Sequence, residues 1–143
     1  MAAGGHRGDR VKDAMTHHHS PGFLKLVDDA KSRVQQFTID EFLERLQAGE
    51  RYIVLDVRED SEWVKGHLPG AHHMGRGILE RDIEDAIPEK DASILLYCGG
   101  GFRSALAADN LQRMGYLNVF SLDGGWRGWT ERGLPTTTAE GDS

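Results

Sequence analysis

The sequence predicts an α/β protein built on a parallel β-sheet with helices on both faces. Short apolar runs alternate along the chain with segments whose apolar residues recur at helical spacing. Continuous apolar runs are typical of strands covered on both faces, and their alternation with helices is typical of a parallel sheet. The predicted strands are residues 52–57, 71–74, 93–97 and 118–122. The chain has 143 residues, 38% hydrophobic and 28% charged, which fits one folded domain.

Helices are predicted where capping signals precede an apolar stripe. Ser20 and Pro21 are typical of the N-cap and first position of a helix. Thr38 and Glu41 have the spacing of a capping box, which indicates the start of the next helix. The predicted helices cover residues 21–35, 39–48, 59–65, 104–114 and 124–131, and residues 75–88 are predicted to form a turn followed by a helix. The apolar stripe of the first helix predicts that it packs on the main domain, with a dimer or partner face as the alternative.

The chain divides into four predicted regions. Residues 1–20 are polar and without periodicity, which predicts a disordered N-terminal tail. This tail includes three consecutive histidines at 17–19, which we do not expect to form a metal site. An N-terminal helix at 21–35, the main domain at 36–135 and a loose C-terminal tail at 136–143 complete the prediction.

Composition excludes several functional classes. The formal net charge of −6 argues against binding to nucleic acid or to an anionic membrane surface. One cysteine cannot form an internal disulfide, so we expect a reducing, cytoplasmic location. We expect neither a secretory signal in the polar N-terminus nor a transmembrane helix, because no apolar run is long enough.

Cys98 is the only cysteine, and it lies between a predicted strand and a predicted helix. The residues that follow it are Gly99, Gly100, Gly101, Phe102, Arg103 and Ser104. Ligands of open α/β sheets bind at the edge where the strands end and the following helices begin, and helix N-termini favour anions. Three glycines allow successive backbone N–H groups to form an anion-binding nest, and these donors together with Arg103 stabilise a thiolate. The pattern predicts a nucleophilic cysteine in a substrate-binding loop; the alternative is a small, buried hydrophobic residue at position 98.

A second group of polar residues follows the strand predicted at 52–57. Asp56 and Arg58 could support the anion pocket, or form an ion pair that organises the loop. His67, His72 and His73 follow a short helix, and we interpret them as hydrogen-bonded turn residues rather than as a general base or metal ligands.

Four segments in order resemble the rhodanese-type sulfurtransferases. They are 55–59 (LDVRE), 62–71 (EWVKGHLPGA), 98–104 (CGGGFRS) and 119–126 (VFSLDGGW). The resemblance covers about residues 36–135, a whole single domain of that family. It implies a five-stranded parallel sheet with the nucleophile loop at its carboxyl edge. It also implies that Arg58 is mainly structural and pairs with a nearby carboxylate such as Glu59 or Glu62.

The resemblance implies a chemistry in which Cys98 attacks a sulfane-sulfur donor such as thiosulfate and becomes a persulfide. A thiophilic acceptor, which could be cyanide, a thiol or a sulfur-carrier protein, then removes that sulfur. Loop N–H groups would hold the anionic sulfur, Arg103 would attract the donor, and Ser104 would cap the helix and could donate to Cys98. No metal and no organic cofactor is expected.

Two alternatives stay open. One is a noncatalytic module that accepts sulfur or binds a partner, which the extra N-terminal helix could serve. The other is a cysteine-dependent phosphatase or arsenate reductase, related folds in which five residues separate cysteine and arginine. Here four residues separate Cys98 from Arg103, and the shorter loop favours a single sulfur atom over a tetrahedral oxyanion. The oligomeric state is left open.

Overall fold

The structure is a computed structural model that describes residues 19–139. Its centre is a five-stranded sheet in the order β1-β5-β4-β2-β3, and all neighbouring strands are parallel. The strands are β1 Gln35–Phe37, β2 Ile53–Asp56, β3 His72–His73, β4 Ser93–Tyr97 and β5 Asn118–Leu122. The predicted α/β class with a parallel sheet is confirmed.

Helices cover both faces of this sheet. Within residues 19–139 they are α1 Pro21–Lys31, α2 Ile39–Gln47, α3 Asp60–Trp63, α4 Leu79–Ala86, α5 Phe102–Arg113 and α6 Gly125–Glu131. The capping box predicted for α2 is present: the Glu41 backbone N–H donates to Thr38 Oγ1 (3.1 Å), and the Thr38 N–H donates to the Glu41 carboxylate (2.8 Å). Among the residues that the structure describes, no helix has the length and apolar character needed to cross a membrane.

Alternate side chains of β4 pack into two separate hydrophobic cores, one on each face of the sheet. Ile94, Leu96 and Cys98 belong to the cluster that includes Leu79 of α4 and Leu111 of α5. The intervening residues of β4 belong to the cluster on the opposite face, with α2 and α6. Because side chains alternate along a strand, the nucleophile candidate continues the α5 face of the sheet.

The helix predicted at 21–35 is too long. The helix α1 ends at Lys31, and Gln35–Phe37 forms the edge strand β1, which pairs with β5. The Phe37 ring stacks on Phe120 at a centroid distance of 4.4 Å, and this long-range packing outweighs the helical pattern at 32–35.

The N-terminal helix packs on α5, as predicted, with Val27 and Ala30 buried. The Arg33 guanidinium follows α1 and bonds both carboxylate oxygens of Asp109 on α5, at 3.1 and 2.8 Å. Hydrogen bonds from Arg33 hold the pKa of Asp109 below its usual range. An ion pair therefore anchors the end of this helical segment to the helix that follows the cysteine loop.

Part of the C-terminal segment predicted to be loose is attached. Thr137 and His67 exchange two backbone hydrogen bonds of 2.9 Å, and the His67 Nε2 atom lies 3.1 Å from the Ala139 carbonyl oxygen. Residues 1–18, with His17 and His18, and residues 140–143 lie outside the described part of the chain, so the predicted tails stay predictions there.

Candidate active site

The Cys98 side chain lies at the carboxyl end of the central strand β4 and is almost fully buried, with 1% of the residue exposed. Its Sγ atom accepts hydrogen bonds from the backbone N–H groups of Gly101 (3.1 Å) and Ser104 (3.3 Å). Two main-chain donors of the loop therefore point at one sulfur atom. Such donors stabilise negative charge on sulfur, which is what a nucleophilic cysteine requires.

The backbone at Gly101 explains one of these donors. Gly101 precedes α5 with φ +99, a conformation that side-chain-bearing residues rarely adopt. A Cβ atom built there would also lie 3.4 Å from the Leu122 carbonyl oxygen and from the Gly124 nitrogen. The glycine thus allows the chain to turn tightly enough for its own N–H to reach Sγ.

The first turn of α6 holds the loop from the other side. The Trp126 N–H donates to the Cys98 carbonyl (2.8 Å), and the Arg127 N–H donates to the Gly99 carbonyl (2.9 Å). Because a trans peptide places N–H opposite C=O, these bonds turn the N–H groups of Gly99 and Gly100 away from α6.

Gly125 makes this docking of α6 on the loop possible. It has φ +50, and a Cβ atom there would overlap the Cys98 carbonyl oxygen and lie 3.1 Å from the Gly99 carbonyl carbon and oxygen. No role for this residue was predicted from the sequence. Its signal in the sequence is the glycine pair 124–125, one residue after the strand predicted at 118–122, where only the start of a helix was expected.

Ser104 and Ser121 lie behind the sulfur and are both fully buried. Ser104 Oγ is 3.5 Å from Cys98 Sγ and 2.7 Å from Ser121 Oγ. The predicted contact of Ser104 with Cys98 is present. The predicted capping role of Ser104 is wrong, because α5 begins at Phe102 with Gly101 as its N-cap residue, so Ser104 lies within the first turn. Ser121 was not predicted as a site residue; its signal in the sequence is a hydroxyl in the otherwise largely apolar strand β5.

The Arg103 guanidinium forms an ion pair with the Glu62 carboxylate instead of contacting Sγ directly. The two N–O distances are 3.2 and 3.4 Å, and 35% of the Arg103 side chain is exposed. Burial alone would lower the pKa of Arg103, but the hydrogen bonds to Glu62 and the nearby Cys98 raise it overall. The cation therefore stays beside the loop.

Phe102 links the cysteine loop to the N-terminal segment. Its ring contacts the rings of His19 and Phe23, at centroid distances of 4.5 and 6.3 Å, and the Lys31 ammonium lies 4.8 Å from its centroid. The helix α1 and the residues that flank it thus contribute one wall beside the loop.

The Asp56 and Arg58 side chains form a buried ion pair with each other. The guanidinium Nη2 is 2.7 Å from Asp56 Oδ2 and donates to the Gly66 carbonyl at 2.6 Å, and the guanidinium carbon lies 4.5 Å from the Trp126 ring centroid. The expected pairing of Arg58 with Glu59 or Glu62 is wrong, because Asp56 lies closer and Glu62 is engaged by Arg103. Arg58 therefore packs under the α6 turn that binds the Cys98 carbonyl.

His67 and His73 have structural partners. The His67 ring stacks on Trp63 at 3.4 Å between centroids, and its Nδ1 atom lies 3.2 Å from the Trp63 carbonyl oxygen. The His73 Nε2 atom lies 2.8 Å from the Arg58 carbonyl oxygen. Within residues 19–139 no cluster of three or more His, Cys, Asp or Glu side chains is arranged to bind a metal ion.

Fold and loop together define a known class. A family model for the rhodanese-like domain matches residues 38–132, and the chain belongs to this family, whose members here include named sulfurtransferases. One relative, thiosulfate sulfurtransferase GlpE of Pseudomonas entomophila, is 34% identical over 91 residues, which are 64% of this chain and 81% of that protein.

Two further proteins are similar over most of the domain. "Putative sulfur carrier protein YrkF" of Bacillus subtilis is 31% identical over 99 residues, which are 69% of this chain, and the chain spans only 52% of that protein's length. A solved structure from Rhodopseudomonas palustris has a TM-score of 0.74 at 29% identity and covers 85% of this chain and 98% of its own. It is described as a protein of unknown function and a "possible tyrosine phosphatase".

Proposed function

We propose that this protein is a sulfurtransferase that carries sulfane sulfur as a persulfide on Cys98, with thiosulfate or a similar compound as donor. The observation that carries the proposal is the pair of backbone N–H groups, from Gly101 and Ser104, that point at Sγ at 3.1 and 3.3 Å. Fixed donors of this kind stabilise an anion without reorganising as charge develops.

The first step begins with the Cys98 thiolate. It attacks the outer sulfur of thiosulfate, an S–S bond forms, and the bond from that sulfur to the sulfonate sulfur breaks. Sulfite leaves as a dianion with the bonding electron pair, and the terminal sulfur of the persulfide keeps the negative charge that it carried in the donor. The Arg103 guanidinium, held beside the loop by Glu62, attracts the dianionic donor.

The second step returns the enzyme to its starting state. A nucleophilic acceptor such as cyanide or a thiolate attacks the terminal sulfur, and the bond to Cys98 breaks with its electrons returning to Sγ. With cyanide the product is thiocyanate. A thiol or a sulfur-carrier protein is the proposed cellular acceptor, a choice supported by the relative named as a sulfur carrier and by the reducing cytoplasm expected for a chain with one cysteine.

Each backbone donor makes a sizeable contribution to this chemistry. A hydrogen bond to a charged group contributes roughly 1.5–3 kcal/mol, and removal of one donor from a comparable oxyanion site costs about 3–4 kcal/mol of transition-state stabilisation. The 1% exposure of Cys98 suits a reaction in which a single sulfur atom, the outer atom of the donor, reaches the nucleophile.

A phosphatase is the second candidate, favoured by the description of the Rhodopseudomonas palustris structure. Four residues separate Cys98 from Arg103 here. Arg103 is engaged by Glu62 instead of facing the sulfur, so an equatorial phosphate oxygen would lack the bidentate arginine contact that tetrahedral oxyanions favour. These features support sulfur transfer over phosphoryl transfer.

The decisive experiment is to incubate the protein with thiosulfate and measure the intact mass. We expect a gain of one sulfur atom that cyanide removes as thiocyanate, and no gain in Cys98→Ser. Hydrolysis of an aryl phosphate without any sulfur gain would contradict the proposal and support a phosphatase. If the protein is folded but neither reaction occurs, the noncatalytic binding module is the better interpretation.

A further inference from the structure

Ser121 is a buried hydroxyl to which the proposed chemistry assigns no task. It lies on β5 beside Leu96 of β4 and is fully buried. Its Oγ atom is 2.7 Å from Ser104 Oγ, which in turn lies 3.5 Å from Cys98 Sγ. The three side chains therefore form a continuous chain, Ser121–Ser104–Cys98, behind the sulfur.

The direction of the hydrogen bonds in this chain depends on the charge of the sulfur. Each serine hydroxyl carries one proton that it can donate, while a thiolate can only accept. If Ser104 donates its proton to Ser121, its oxygen lone pairs face the sulfur anion and repel it. If Ser121 donates to Ser104, the Ser104 proton is free to point at Sγ.

We infer that Ser121 is a positioning residue for the sulfur anion. It donates to Ser104 and so turns the Ser104 hydroxyl towards Cys98, adding a third donor to the N–H groups of Gly101 and Ser104. This inference rests on the proposed function, because it takes the Cys98 sulfur to react as an anion.

The same chain serves the protonated state. A Cys98 thiol can donate to Ser104 Oγ, and Ser104 can then donate to Ser121 Oγ, because both are acceptors as well as donors. Two coupled hydroxyl rotations therefore match the chain to either charge state of the sulfur. Inside a protein, where the dielectric constant is low, the orientation of such dipoles matters more than it does in water.

A purely structural role makes a different prediction. If the two hydroxyls only satisfied each other between β5 and α5, loss of Ser121 would lower the stability of the fold and leave the ionisation of Cys98 unchanged. The pH profile of Cys98 reactivity separates these roles, because packing alone does not move it.

The experiment measures the rate of Cys98 alkylation by iodoacetamide as a function of pH, without any sulfur donor. We expect Ser121→Ala to move the profile to higher pH by about half a unit, a roughly threefold lower reactivity on its acidic side, because the Ser104 hydroxyl loses the donor that polarises it and fixes its direction towards Sγ. In a Ser104→Ala background, Ser121→Ala should cause no further shift, because it acts through Ser104.

Two further variants separate the hydroxyl from its volume. Ser121→Thr and Ser121→Val have nearly the same shape, and only threonine keeps the donor, so valine should shift the profile and threonine should restore it. Val119→Ala, on the same face of β5 and buried, is the packing control and should lower stability without moving the profile.

An unchanged profile in Ser121→Val, or an equal shift with and without Ser104, would overturn the inference. Because alkylation needs no sulfur donor, this result is independent of whether thiosulfate loads the protein. A failure of the proposed sulfur transfer is therefore distinguishable from a failure of the positioning role.

Discussion

Gly125→Ala is the sharpest test of how the cysteine loop is held. Gly125 has φ +50, and an added Cβ atom would overlap the Cys98 carbonyl oxygen. The turn of α6 would have to move away from the loop, which weakens the bonds from Trp126 and Arg127 to the loop carbonyls. Sequence neighbours alone do not reveal this dependence, because the loop and the turn are more than twenty residues apart.

The expected loss of stability follows from these contacts. A left-handed conformation costs a residue with a Cβ atom about 1–2 kcal/mol, and each of the two backbone hydrogen bonds contributes about 0.5–1.5 kcal/mol. The free energy of unfolding should therefore fall by about 2–5 kcal/mol. A displacement of the nucleophile of about 1 Å should in addition slow sulfur loading on the order of a hundredfold.

Urea unfolding and the rate of sulfur gain from thiosulfate measure the two effects. Gly133→Ala is the matched control: it has φ +66, and no described atom lies within 4 Å of an added Cβ atom. It should cost only the conformational term and leave loading unchanged. If Gly125→Ala is no less stable than Gly133→Ala and loads sulfur at the normal rate, the docking argument is wrong.

Three further variants test separate parts of the site and fold. Gly101→Ala, at φ +99, should rotate the backbone so that its N–H leaves Sγ, which slows sulfur loading in the mass assay and costs about 1–2 kcal/mol. Asp109→Asn should lower the free energy of unfolding measured in urea at pH 7. Arg33 lowers the pKa of the Asp109 carboxyl in the folded protein, so the ion pair stabilises the fold above the unfolded pKa of about 3.9, and this stabilisation is lost as pH falls through the lower folded pKa. The difference in stability between the variant and the wild type should therefore shrink towards pH 3. Arg58→Met leaves the Asp56 carboxylate buried without its partner and should reduce the free energy of unfolding by about 3–5 kcal/mol, of which the added change Asp56→Leu should restore a part.

Each of these variants has a control or a contradicting result. Gly100→Ala places its Cβ atom 3.5 Å from Arg127, an ordinary contact at a glycine without positive φ, and should load sulfur normally. Asp28→Asn removes a carboxylate for which the described residues show no ion pair, and it should change the stability in urea at pH 7 very little. An Arg58→Met protein as stable as the wild type would mean that the buried pair does not organise this edge of the sheet.

The fold was predictable where the pattern is local and strong. The run at 94–97 is apolar and is followed by Cys98 and three glycines, so both the central strand and the loop after it could be placed from the sequence. The strand β1 could not, because Gln35 and Gln36 give it no apolar run and its formation depends on pairing with β5.

The partners inside the site were less predictable than its members. Several carboxylates lie within a few residues of Arg58, and sequence distance does not say which one the guanidinium reaches. It pairs with Asp56 because the end of β2 places that carboxylate beside the guanidinium. Ser121 lies more than twenty residues from Cys98, and only the neighbouring positions of β4 and β5 bring it behind the sulfur. The assignment of Cys98 and its loop as catalytic and substrate-binding stays a prediction until sulfur loading is measured.

Cys98 is the sole thiol of these 143 residues, which has a practical and a mechanistic consequence. In the proposed cycle, a sulfur bound there has no second cysteine within these 143 residues that could displace it through an internal disulfide, so an acceptor molecule from outside these residues must remove it. The rate of the cycle should then follow the concentration and reach of that molecule. Because Cys98 is the only thiol in this sequence, any thiol-directed reagent reports on position 98 alone, and no other cysteine has to be substituted first.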